Sequence, residues 1–232
     1  MVDIPANLIT STTIASISFF VAVWLMIYFA TKKLRTSLII LAVLAFWYGL
    51  VYFPGRLGFW GQDLSFIPFI GLGFLILFFW IKFLYSRPFL QNIADSIPIH
   101  WLIGIQIFRV MGIGFLSFYA LGLIPGVFAI PTGWGDVFIG VTAVPVAILF
   151  WAKSASWRIV KKLAIWWNYL GIADLALALT LGMATFPRPI QTLPTTPDNQ
   201  LISLFPLVMV PLFAVPLSLL LHLFTLRALK KT

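Results

Sequence analysis

Apolar runs of about 20 residues recur along the chain, divided by short connections that hold most of its basic side chains. A run of that length crosses roughly 30 Å of hydrocarbon at about 1.5 Å per helical residue. Seven such runs are read, at 8–31, 37–54, 66–85, 100–123, 136–151, 163–186 and 202–226. The expected class is all-α: a polytopic membrane protein, a seven-transmembrane-helix bundle that forms a single integral membrane domain over residues 1–232.

The connections set an orientation. Lys32, Lys33, Arg35, Lys82, Arg87, Lys153, Arg158, Lys161, Lys162, Arg227, Lys230 and Lys231 fall on one side, 12 residues in all. Arg56 and Arg188 fall on the other, and Arg109 lies inside a run. Basic loops stay in the cytoplasm, so the N-terminus is expected outside and the C-terminus cytoplasmic. An even number of spans would break this alternation. The first residues, MVDIPANLITSTT, lack the basic start of a signal peptide, so the first run is read as a retained span. A cell inner (cytoplasmic) membrane is the expected location, with an organelle membrane as the other option.

Composition narrows the class further. The chain is 62% hydrophobic and 9% charged, too few charges to coat a soluble globule, which carries about 25%. The net charge of +9 sits in inter-span clusters, so it is a topology signal and no nucleic acid is expected as partner. Cysteine is absent, which removes disulfides, thiolate metal sites and Cys nucleophiles. No phosphate-binding Gly-rich loop, HExxH or GxSxG motif occurs. Residues 202–226 hold no Lys for a retinal-type Schiff base. No cofactor is predicted.

The outer connections, PGRLGFWGQDLS and PRPIQTLPTTPDNQ, read as Pro- and Gly-rich loops. Between spans four and five, LIPGVFAIPTGWGD is apolar yet punctuated by Pro125, Gly126, Pro131, Gly133 and Gly135. It is read as a break, either an interfacial turn anchored by Trp134 or a loop dipping back against protein. Pro206, Pro211 and Pro216 are expected to kink or unwind span seven.

Few ionisable residues remain inside the spans. Arg109 and Asp174 lie at one depth near the midplane, counted from the cytoplasmic ends of spans four and six. An ionised side chain there costs about 2.5–3.5 kcal/mol, which a touching opposite charge relieves, so the two are expected to pair and their spans to be neighbours. Gln106, Arg109 and Gly112 share one side of span four, while Trp167, Gly171, Asp174 and Ala178 share one side of span six. Asn168 is placed to add a hydrogen bond. Asp136 is read as a helix cap at the start of span five, or as a carboxylate at the mouth of an outer cavity beside Trp134. His100 and His222 are weak candidates for metal ligation; a solvated ring and a bundle hydrogen bond explain them as well. No metal site is assigned.

Three functions fit these residues. The first is a small carrier or permease for a small solute or proton, with Arg109, Asp174, Gln106, Asn168, Asp136 and Trp134 as substrate-binding or ion-pair residues. The second is a non-catalytic structural or pigment-associated subunit of a larger membrane complex. The third is an intramembrane lipid-modifying enzyme, disfavoured because Asp136 and Asp174 would differ in depth by more than about 10 Å. The lipid bilayer is the expected partner, with other membrane subunits or further copies of the chain as further options.

Overall fold

A computed structural model describes residues 5–61, 78–79, 82, 86–152, 157–187 and 191–232. The span expected at 66–85 lies almost wholly outside the described residues. Among the described residues the secondary structure is helical, with no strand. This is the expected response to hydrocarbon, where each backbone N–H and C=O must find its partner within the segment.

The long elements are α1 (Ala6–Thr31), α2 (Leu34–Arg56), α4 (Ile99–Ala120), α5 (Gly126–Trp151), α6 (Trp157–Ala184) and α7 (Val210–Lys231). These six are long and apolar enough to cross a membrane, the architecture of a multi-pass membrane protein. A short helix, α3 (Pro88–Ser96), precedes α4. It is tied to the end of α7: Asp95 pairs with Arg227 at 3.5 Å and with Lys231, and Arg227 Nη2 donates to Gln91 Oε1 at 3.0 Å.

The break expected before span five is confined to a turn at 121–125 and does not reach residue 135. Residues 126–151 form one helix with Pro131 and Pro145 inside it, so Asp136 lies within a helix and not at its start. Pro125 supplies the N-cap, where a missing N–H costs nothing. The glycines serve close packing. A Cβ at Gly133 would lie 2.8 Å from the Leu116 side chain, and one at Gly140 would lie 2.5 Å from the Val110 backbone nitrogen. Gly133, Asp136, Gly140, Ala143 and Ala147 recur at alternating steps of three and four, and this small-residue ridge lets α4 and α5 approach backbone to backbone.

Two spans are distorted. In α4, residues Ile105–Gly112 form a 3-10 segment between two α-helical pieces, long for this geometry. Positions three apart eclipse one another in a 3-10 helix, and the buried residues of the segment are Gln106, Arg109 and Gly112. In α7, residues Val210–Ala214 form a π-helical turn. Pro216 brings no N–H to the Leu212 carbonyl four residues before it. Trp47 Nε1 of α2 donates to that carbonyl at 3.1 Å instead. Around this joint Phe19, Trp47, Leu212 and Phe213 form part of the apolar core.

Candidate functional site

Arg109 projects from the 3-10 column into the centre of the bundle, where 2% of it is exposed. Its Nε donates to Asp136 Oδ1 of α5 at 2.7 Å. Its Nη2 donates to Asp174 Oδ2 of α6. Its Nη1 donates to the Gly171 carbonyl at 3.2 Å and lies 3.4 Å from His222 Nε2 of α7. One guanidinium thus ties α4 to three other helices. Helix α5 packs against both α4 and α6, and Arg109 reaches α6 beside it, so spans four and six meet through this long side chain more than as packed neighbours.

The hydrogen bonds decide the state of His222, which is fully buried. Asn168 Nδ2 donates to the Ala164 carbonyl at 2.7 Å, leaving Asn168 Oδ1 as an acceptor 2.8 Å from His222 Nδ1. The ring proton therefore sits on Nδ1, and the lone pair of Nε2 faces the Arg109 N–H. His222 is a neutral member of the cluster.

Glycines make the room. A Cβ on Gly112 would clash with Cβ of Asp136, and one on Gly135 would fall onto Asp174 Oδ1. A Cβ on Gly171 would lie 2.5 Å from His222 Cε1. Charged groups are thereby seated at helix-contact distance in a membrane-spanning bundle.

A cavity of about 240 Å³ runs between the N-terminal half of α1, the second half of α4 and the start of α7, with Arg109 and Asp136 in its lining. Its walls are mainly apolar, with Phe19, Phe108, Phe115 and Met209 among them. Met111 and Ile113 also border it and are 47% and 55% exposed. A second space of about 40 Å³, lined by Thr132, Leu175 and Val210, adjoins it at Asp136.

Of the residues singled out from sequence, Arg109, Asp136 and Asp174 form one ionic cluster. Asn168 joins it through His222. Gln106 stands one eclipsed step from Arg109 and exchanges hydrogen bonds with Ser218 of α7, giving one at 3.3 Å and receiving one at 2.7 Å. Trp134 is not part of the site; it is 61% exposed on the outer surface of α5. His100 stands at the start of α4, with its ring edge-on to Trp101. His222, expected to make no more than a bundle hydrogen bond, lies on α7 at the Arg109 cluster. Its fit against Gly171 puts it level with Arg109. Among the described residues no group of three or more His, Asp or Glu is arranged to hold a metal ion.

The family model of a domain of unknown function, DUF8737, matches residues 67–230. The chain belongs to the DUF8737 family. The matched stretch contains every member of the ionic cluster, whereas α1, which walls one side of the larger cavity, precedes it. No curated protein and no solved structure matches the chain.

Proposed function

We propose that this DUF8737 protein is a small membrane carrier that binds its cargo where Asp136 lines the larger cavity. The observation that carries the reading is the arrangement of that carboxylate. Asp136 Oδ1 is held by Arg109, while Oδ2 makes no hydrogen bond among the described residues, and the residue lines both spaces. A midplane charge facing an open cavity is the usual mark of a substrate or ion pathway, and sites beside interrupted helices are common in carriers. Both interrupted segments, in α4 and α7, line this cavity. The two aspartates share one guanidinium, and of the two it is Asp136 that lines both of the spaces described above. That arrangement favours a binding site over a reaction centre needing two acid–base groups in one space.

The carrier reading includes seven crossings, with the N-terminus outside and the C-terminus cytoplasmic. Two observations support the odd count. The turn Phe59–Gly61 contacts Gln200–Ser203, ahead of α7, whereas α3 is bonded to the far end of α7. The chain therefore leaves one end of the bundle at residue 61 and is found again at the other end by residue 88.

The test is uptake into proteoliposomes across a panel of small cations, anions and zwitterions. At least one solute is expected to enter with the wild-type chain and to fall to the empty-liposome rate with Asp136→Asn, while circular dichroism shows the helices retained. A panel on which wild-type and empty vesicles behave alike, or a solute moved equally by the variant, refutes the carrier reading.

A further inference from the structure

The same site has a chemistry that selects its ligand, and this inference rests on the binding site proposed above. We infer that it takes an amphiphile with a single primary ammonium head, its apolar body in the larger cavity and its head in the smaller space between Asp136 and Thr132.

Thr132 is the independent observation. It lies one turn before Asp136 on α5, is 2% exposed, lines the smaller space, and its Oγ1 has no hydrogen-bond partner. A buried hydroxyl left unpaired costs free energy, which a bound donor would recover. Residues four apart on a helix have Cβ atoms about 5–6 Å apart, so one nitrogen between them can reach both side chains. A space of about 40 Å³ holds a group of that size, since one water needs roughly 10–15 Å³ by the same kind of measure.

Charge selects the sign. Arg109 faces Asp136 and Asp174 while His222 is neutral, so with both carboxylates ionised the cluster has one negative charge in excess. A monovalent cation balances it, whereas an anionic head would double the imbalance in a medium that tolerates little net charge. Arg109 does little to invite an anion, because four of its five N–H donors already have partners.

Donor count selects the kind of cation. Asp136 Oδ2 accepts, and Thr132 Oγ1 is free to accept beside it. A primary ammonium carries three N–H donors and serves both; a quaternary ammonium carries none. The larger cavity selects the rest of the molecule. Its hydroxyls are already engaged where they are buried, Ser16 with Tyr48 and Ser218 with Gln106, and the exposed Met111 and Ile113 at its border suit entry of a body dissolved in the bilayer.

The experiment is calorimetric titration of the full chain in nanodiscs with octylammonium, octyltrimethylammonium and octanoate, empty nanodiscs giving the partition background. Octylammonium is expected to bind saturably with one site per chain. Octyltrimethylammonium is expected to bind about tenfold more weakly, for want of donors, and octanoate to show partition only. Thr132→Val keeps shape and fold and is expected to weaken octylammonium about five- to tenfold, while Asp136→Asn removes the saturable phase. Octanoate binding as tightly as octylammonium, or equal octylammonium affinity in the wild type and Thr132→Val, overturns the inference. Saturable octylammonium binding without flux of any solute overturns the carrier reading and keeps the ligand class. Flux of another solute that needs Asp136, with no octylammonium binding, does the reverse.

Discussion

At Gly135 one added methyl group would occupy the space of Asp174 Oδ1, and at Gly171 it would press on the His222 ring. Both glycines are helical, so their value lies in the absence of a side chain and not in backbone freedom. Gly135→Ala is expected to lower stability by about 1–3 kcal/mol through overpacking, read as a fall in the thermal midpoint in detergent. Gly114→Ala is the control, because a Cβ there meets nothing within 4 Å, and it is expected to be neutral or slightly stabilising. Equal effects from the two substitutions would remove the packing argument. Arg109→Met leaves two carboxylates without their cation and is expected to cost about 3–5 kcal/mol. Neutralising Asp136 and Asp174 to Asn in the same chain is expected to restore most of that loss, since an uncompensated charge costs more than an absent pair. If the triple variant is no more stable than Arg109→Met, the cost comes from lost packing around the guanidinium.

The depth of Arg109 and Asp174 could be counted from span limits alone, because the 3-10 segment adds only about 0.5 Å per residue over the few residues before Arg109. Asp136 could not be placed that way. Pro and Gly between residues 124 and 135 argue for a break in water, where an opened backbone is solvated at little cost. In hydrocarbon the same break leaves groups unpaired, so the helix persists through Pro131. The signal that would have found Asp136 was its place on the ridge from Gly133 to Ala147, where only small residues and this one acid recur at helical spacing.

Among the elements, α7 depends on a bond from elsewhere. Pro216 leaves the Leu212 carbonyl without its helical donor, and Trp47 supplies one across the bundle. Trp47→Phe is expected to cost about 1–3 kcal/mol, the penalty for a buried polar group left unsatisfied. In a Pro216→Ala background the restored N–H offers the carbonyl a local partner, so the same substitution is expected to cost clearly less. A double-mutant cycle measured by unfolding in mixed detergent reads this coupling; strict additivity would show that Trp47 acts by bulk alone. The three evenly spaced prolines announced a distorted span seven, but which carbonyl was stranded and what answered it depended on α2. The 3-10 segment of α4 carries no such announcement. Its period of three is visible in Gln106, Arg109 and Gly112, yet an α-helix tolerates that spacing as well, and the close approach of Gly140 to the Val110 backbone accompanies it in the fold.

For the whole molecule, the proposed topology makes a prediction that the absence of cysteine renders simple to check. A single cysteine at Thr192, in the connection before α7, is expected to react with an impermeant maleimide from outside intact cells. One at Thr232 is expected to react only after permeabilisation. Reaction of both from the same side would mean that an even number of spans separates the first from the second, or none. The helical class, the limits of spans one, two and four and the charge asymmetry were readable from residue order, because hydrophobic length and basic loops act on each segment separately. The meeting of Asp136, Asp174 and His222 on one guanidinium was decided only by tertiary packing. Such a cluster depends on which helix faces which and how closely, and in a bilayer those choices rest on a few missing side chains. Hydropathy does not register an absent methyl group; the helix beside it does.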